Sequence, residues 1–277
     1  MLPAEKSSEA AVAGFEREVQ LTAQLTGPHV VAIFDYGRSD DGTFYYAMEY
    51  LDGLDLERLV VGWGPQPPAR VAGILAQVCD ALAEAHARGL VHRDIKPANI
   101  LLCERGTRCD VAKVVDFGLV RHVAAEDGVV AGTPGFLAPE ALAGPSELSV
   151  SVDLYAVGAV AYFLLAGRLP FEGDTAAKLI EAQLRERAPT LSSRGISIDA
   201  DLEALVLRCL EREPALRPAS AAELGAQLSS LVGKLSPWGE PDARQWWSSF
   251  RRQRAERQES DVADTAPVAS TLLIAHR

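Results

Sequence analysis

Hydrophobic positions along the chain change period several times, and each change predicts an element. Between residues 9 and 25, Val12, Phe15, Val19 and Leu25 recur at roughly helical spacing, which predicts an amphipathic helix. Two runs rich in β-branched and aromatic residues follow, VVAIFDYG and TFYYAMEY, joined by the turn-forming SDDG; they predict a pair of strands. Asp52-Gly53 breaks this pattern, and residues 60–68 read as a Gly/Pro loop. Pro67 and Pro68 then open a helix that carries Val71, Ile74, Leu75, Val78 and Leu82 and stops at Gly89.

Short strands are expected around 100–102 and 111–115, on either side of an irregular turn. Residues 117–150 are rich in Gly, Pro and Ala with little periodicity and predict a long functional loop. From 151 to about 232 the pattern is helical. Its longest apolar stretch, Tyr155 to Gly167, falls short of the roughly 20 residues needed to span a bilayer, so it predicts a buried helix. Ser220-Ala221-Ala222-Glu223 forms a capping box, in which hydroxyl and carboxylate satisfy N–H groups at a helix start. Beyond 233 the character changes. Trp246, Trp247 and Phe250 fall on one side of a short helix that continues into Arg251, Arg252, Arg254 and Arg257. Two uses of that helix stay open, docking on the rest of the chain and contact with a partner or a membrane surface. The last dozen or so residues read as a disordered end.

Composition narrows the function classes. The 277 residues are 48% hydrophobic and 23% charged, which excludes disorder, collagen and a disulfide scaffold. A net charge of −11 speaks against a nucleic-acid partner held by a basic surface. Cys79, Cys103, Cys109 and Cys209 lack CxxC spacing and clustered histidines, so they read as reduced thiols and not as a metal site. The first ten residues, MLPAEKSSEA, contain no apolar signal core. A cytoplasmic location without a transmembrane segment is expected.

The chemistry concentrates in His92-Arg93-Asp94-Ile95-Lys96-Pro97-Ala98-Asn99. Asp116-Phe117-Gly118 follows 22 residues after Asp94, behind the apolar run VAKVV, and Ala138-Pro139-Glu140 begins 22 residues further on. One such piece alone is weak; three in order at suitable spacing are strong. Phosphoryl transfer needs a carboxylate to orient a hydroxyl and accept its proton, and Asp94 fits. It needs oxygen ligands for Mg²⁺, which Asp116 and the Asn99 side-chain carbonyl supply. It needs a cation against the developing charge, and Lys96 fits.

Over residues 9–232 the chain resembles the eukaryotic-type protein kinases, in their bacterial serine/threonine branch. Lys96, two residues after Asp94, and Gly132-Thr133-Pro134 ahead of Ala138-Pro139-Glu140 are similar to the serine/threonine class. The resemblance implies an α+β, protein-kinase-like bilobal fold that transfers the γ-phosphoryl group of ATP to protein Ser/Thr hydroxyls with Mg²⁺. It implies a partial N-lobe at 1–50, a mainly helical C-lobe at 51–233 and a tail at 234–277. It makes Glu18 the acid of the C-helix, Met48 the gatekeeper, and Glu49-Tyr50-Leu51 the hinge whose backbone meets adenine. Asp55 is assigned to the ribose, Leu101 to the floor of the adenine pocket, and Thr133 to a bond with Asp94 and Lys96. Asp153 anchors the catalytic loop, Glu140 pairs with Arg217, and His92 packs under Phe117 and does not act as a base.

At the front the resemblance stops. Met1 falls about where the residue after the family's V-A-x-K lysine stands, and no G-x-G-x-x-G precedes the C-helix. Lys6 is the only nearby lysine, so Glu18 lacks its expected partner. A cut-down N-lobe with impaired transfer is therefore expected. The alternatives are a catalytically inactive kinase-like binding or scaffold module and a start site placed too far downstream. Ala98 stands where base-directed kinases carry Glu, so a preference for Arg near the target hydroxyl gains no support. Residues 119–131 contain no Ser, Thr or Tyr, so a phosphate on this loop is not expected to pair with Arg93 as an on-switch. Glu126 and Asp127 are its only acids.

Overall fold

The computed structural model describes residues 19–38, 44–117, 134–142, 149–235 and 238–264. Contacts group Met1–Pro237 as one unit and Trp238–Arg277 as a second. Of the helix expected at 9–25, residues 19–23 are described and helical, with Val19 buried.

Strands β1 (Ile33–Arg38) and β2 (Phe44–Met48) pair antiparallel, with Tyr36 opposite Tyr46 and a bulge between Ile33 and Asp35. A second sheet has the order β3 (Gly53–Asp55), β4 (Ile100–Arg105), β5 (Arg108–Val114), all antiparallel. The last two strands run longer than expected. Gly106, at φ 58°, turns the chain in two residues, so ladder pairing extends to Arg105 and Arg108. Gly53 has to be glycine, because a Cβ there would stand 2.0 Å from the Leu102 carbonyl oxygen. The segment before β1 is tied to the end of β5 by Val31 N–H to Val114 O (3.0 Å) and Val114 N–H to His29 O (2.8 Å).

Helix α1 (Leu56–Trp63) corrects the expected loop at 60–68, since only residues 64–67 connect it to the next helix. Asp55 starts α1 by accepting from the Arg58 N–H at 2.7 Å, a helix-start signal overlooked beside the glycines and prolines. Helix α2 (Pro68–Ala87) begins and ends as expected, with Pro68 at its first position and Gly89 at φ 73°.

The described part of 117–150 includes the short helix α3 (Pro139–Leu142). Helix α4 (Ser151–Ala166) is buried along nearly its whole length, as its unbroken apolar run requires, and stops at Gly167 in the left-handed conformation. Helices α5 (Ala176–Arg185), α6 (Ala200–Cys209) and α7 (Ala221–Val232) are capped by Thr175, Asp199 and Ser220. The capping box differs in one bond: Ser220 Oγ accepts from Glu223 N–H at 3.1 Å, but Glu223 reaches back to Ala219 N–H, one residue earlier.

The core lies between α2, α4, α6, α7 and β5. Two glycines set its closest approaches. A Cβ on Gly158 of α4 would meet Cys209 Cβ at 2.5 Å, and one on Gly225 of α7 would meet Cys79 Cβ at 3.0 Å. Behind the second sheet, buried Arg70 donates to both oxygens of Asp110 at 2.7 and 3.0 Å and to Gln66, fixing α2 to the start of β5.

In the second unit, α8 (Glu240–Asp264) spans 25 residues and is longer than the short helix expected. Trp246 stacks on Phe250 with centroids 5.6 Å apart, and both meet Trp247 edge-on at 5.3 Å. Among the described residues no helix is long and apolar enough to cross a membrane.

Candidate active site

The turn between α2 and β4 carries the first cluster. Arg93 has φ 65°, a left-handed conformation that few residues other than glycine adopt without external support. The support comes from α4. Asp153, fully buried, accepts from His92 N–H through Oδ2 and from Arg93 N–H through Oδ1, both at 2.8 Å. Its Oδ2 also meets His86 Nε2 at 2.9 Å. One carboxylate thus holds the loop at the residue that turns it.

His92 is wholly buried, and burial pushes its pKa below the ordinary value although Asp153, Asp94 and Asp116 pull the other way. Its partners define the neutral tautomer. Nε2 faces the Val115 carbonyl at 3.0 Å and has to donate, while Nδ1 accepts from Asp94 N–H at 3.2 Å. The ring packs on Phe117 with centroids 4.6 Å apart. His92 therefore joins the turn between α2 and β4 to the segment after β5, and both its ring nitrogens are engaged.

Asp94 is the centre of the polar cluster. Its Oδ2 receives Lys96 Nζ at 2.7 Å and Asn99 Nδ2 at 2.9 Å, and Asn99 Nδ2 also donates to the Asp94 backbone carbonyl at 2.8 Å. These bonds orient the Asn99 amide, with nitrogen towards Asp94 and oxygen away from it. The Asn99 backbone carbonyl accepts from Val115 N–H at 3.0 Å, which brings the residue before Asp116 alongside the loop.

Asp116 too is left-handed, at φ 57°. Its Oδ1 accepts from the Tyr46 hydroxyl at 3.0 Å. Burial, then the Asp116 charge and this bond, push Tyr46 up to about 12, so it is a donor at neutral pH. Tyr46 was missed in the sequence, where an aromatic in a strand reads as core.

The segment just after β2 adds a second ionic cluster. Glu49 donates its own N–H to Ala32 O at 2.9 Å, and its carboxylate accepts from Ala32 N–H at 3.0 Å. The same carboxylate pairs with Lys113 at 2.6 Å and with Arg105. Burial pushes the Glu49 carboxyl up, but the Lys113 and Ala32 bonds and the Lys113 and Arg105 charges outweigh it, and the net shift is downward. The backbone of Glu49 was expected to matter; its side chain was not.

Leu101 lies in β4, opposite Asp55 on one side and Lys113 on the other, so the expected ribose and adenine residues share one sheet. Asp55 is also engaged as the cap of α1 and pairs with Arg58 Nε at 3.2 Å. Met48, at the end of β2, is 46% exposed. Glu18, Lys6, Thr133, Glu126 and Asp127 lie outside the described residues. On the far side of the loop, Arg217 holds Glu140 through both terminal nitrogens.

The donor set suits a nucleotide with a hard cation. Among the described residues no group of three or more His, Cys, Asp or Glu could hold a metal unaided. Asn99 and Asp116 offer oxygen from two side chains, the number Mg²⁺ uses when phosphates and water complete its shell.

A protein kinase domain family profile matches residues 2–227. The chain is 36% identical over 273 residues to the serine/threonine-protein kinase pkn3 of Myxococcus xanthus, covering 93% of this chain and 50% of that protein. It is 37% identical over 222 residues to the serine/threonine-protein kinase PknB of Mycobacterium leprae, covering 77% of this chain and 35% of that one. The chain thus spans half or less of the length of these relatives. Among solved structures, the kinase domain of Mycobacterium tuberculosis PknI superposes with TM-score 0.66 at 28% identity, covering 84% of this chain and 83% of that one. Rad53 in complex with AMP-PNP gives TM-score 0.67 at 28% identity, covering 77% and 54%.

Proposed function

The chain belongs to the protein kinase family and has its bilobal α+β fold, and on that footing we propose that it transfers the γ-phosphoryl group of ATP to Ser and Thr hydroxyls of proteins. The observation that carries this is the Asp94 carboxylate. Lys96 and Asn99 both occupy Oδ2, so Oδ1 is the oxygen that meets an incoming hydroxyl, orients it and takes its proton.

Lys96 then lies beside the transferred group, where its ammonium offsets charge on the phosphoryl oxygens. Asn99 Oδ1 and Asp116 are the residues that would hold Mg²⁺, which would supply positive charge against the phosphates. Glu49 and Leu51 meet the adenine through the backbone, and the Glu49 side chain, fixed by Lys113 and Arg105, keeps that backbone in place. Leu101 floors the adenine pocket and Asp55 faces the ribose. Thr133 bonds Asp94 and Lys96, and Glu18 is the C-helix acid. Lys96 at two residues after Asp94 supports Ser/Thr over Tyr acceptors. Free cysteines among the described residues support a cytoplasmic setting.

Transfer of labelled γ-phosphate from ATP to a generic Ser/Thr protein acceptor tests the proposal. Label should appear on Ser or Thr and vanish in Asp94→Asn. Transfer that survives Asp94→Asn would overturn it, and nucleotide binding without any transfer would favour a kinase-like binding module.

A further inference from the structure

We propose that Tyr46 is a positioning residue for the Asp116 carboxylate: its hydroxyl holds Oδ1 and so presents Oδ2 to Mg²⁺. This rests on the reading of Asp116 as a metal ligand given above.

Asp116 sits just beyond β5, with its backbone in the left-handed region. That fixes where the side chain starts but not how the carboxylate is rotated. Among the described residues the Tyr46 hydroxyl makes the one side-chain hydrogen bond on this group, at 3.0 Å to Oδ1. The bond crosses between the two sheets, from β2 to the end of β5, and 70 positions separate its partners.

Tyr46 is suited to holding another group still. Its ring has two side-chain torsions and it is half-buried in a paired strand opposite Tyr36, so the hydroxyl position is set by the sheet. A phenol donating to a carboxylate makes a charge-assisted bond, here at 3.0 Å. One oxygen so occupied leaves the other as a single-point ligand. That matches a cation that demands near-octahedral geometry and is poorly served by a freely rotating, two-point carboxylate. Hydrogen-bond partners of this kind typically contribute 10–100-fold to metal affinity. A residue that only packs here would be replaced without loss by phenylalanine, and one that competes with the cation would weaken its binding.

The test is Mn²⁺ binding to the 277-residue chain in the presence of ADP, read from the electron paramagnetic resonance signal of free Mn²⁺. Tyr46→Phe should weaken Mn²⁺ about tenfold, while Tyr36→Phe, which removes the hydroxyl of the cross-strand neighbour, should change it less than twofold. Thermal midpoints of the two variants should agree, which separates positioning from folding. Asp116→Asn reports on the underlying reading and should abolish the site. If Asp116→Asn leaves Mn²⁺ binding unchanged, or the unmutated chain shows none, the metal role of Asp116 falls and this inference with it. If Asp116→Asn abolishes binding but Tyr46→Phe leaves it unchanged or tightens it, the inference alone is overturned.

Discussion

Arg217 and Glu140 meet through two parallel hydrogen bonds, Nη1 to Oε1 at 2.6 Å and Nη2 to Oε2 at 2.8 Å, with the guanidinium fully enclosed. The same guanidinium lies over the Tyr155 ring at 5.1 Å and donates to the carbonyls of Ser151, Glu211 and Arg212. It joins α3, the start of α4 and the turn before α7. Glu140→Ala leaves a buried cation without its anion and is expected to destabilise the chain by about 3 kcal/mol, the low end for breaking a buried pair because Glu140 keeps some solvent. Urea unfolding measures this. A loss below 1 kcal/mol would show that the three carbonyls suffice.

Asp153→Asn removes one of the two acceptor oxygens that hold His92 and Arg93 N–H. Each charge-assisted bond contributes about 1.5–3 kcal/mol, and one of them holds the left-handed Arg93. Stability should fall by roughly 2 kcal/mol. Hydrogen exchange at the amides of His92 and Arg93 should rise well before that in the middle of α4. Unchanged exchange at both amides would refute the anchoring role.

Gly158→Ala should cost about 1–3 kcal/mol through overpacking, because the new methyl group would meet Cys209 Cβ at 2.5 Å. Cys209→Ala keeps that Cβ and should give no rescue. Cys209→Gly removes it and should recover part of the loss. Thermal midpoints of the single and double variants decide this, and rescue by Cys209→Ala would place the clash at the sulfur instead.

Glu84 ties Thr26 and Gly27 to α2, accepting their N–H groups at 2.9 and 2.8 Å and pairing with Arg88 at 3.0 Å. Burial pushes its carboxyl up, but the two backbone bonds and the Arg88 charge prevail and the net shift is below the ordinary 4.5. Below pH 4.5 the unfolded chain binds this proton before the folded chain does. The contribution is therefore complete above about pH 4.5 and is lost as pH falls through the folded value. The difference in urea midpoint between the unmutated chain and Glu84→Gln should be constant near neutrality and shrink on acidification below that point. A difference independent of pH down to unfolding would contradict it.

Phosphatase treatment is expected to leave phosphoryl transfer unchanged, since residues 119–131 offer no hydroxyl to modify. A large loss of transfer that tracks a phosphate within 119–133 would disprove this.

Sequence alone determined the order of chemical groups and most of the helical half. Asp94, Lys96, Asn99 and Asp116 stood out in the sequence because residue types at that spacing resemble the protein kinase family, and the structure brings the first three into one hydrogen-bonded cluster. The continuous apolar run of α4 could only be a buried helix, and Pro68 and Gly89 bounded α2 through fixed backbone preferences. The extent of α1 was misjudged because Gly62 and Gly64 look like punctuation, whereas the Asp55 cap and the buried Leu56, Leu59 and Val60 carry the helix to Trp63. What tertiary structure decided were the partners. Tyr46 with Asp116, Glu49 with Lys113, Arg70 with Asp110 and Glu84 with the Thr26 and Gly27 amides join positions 40 to 70 residues apart. A carboxylate or a hydroxyl has no periodic signature, and its role is set by whichever charge or amide the packing of α2, α4 and the two sheets brings within 3 Å.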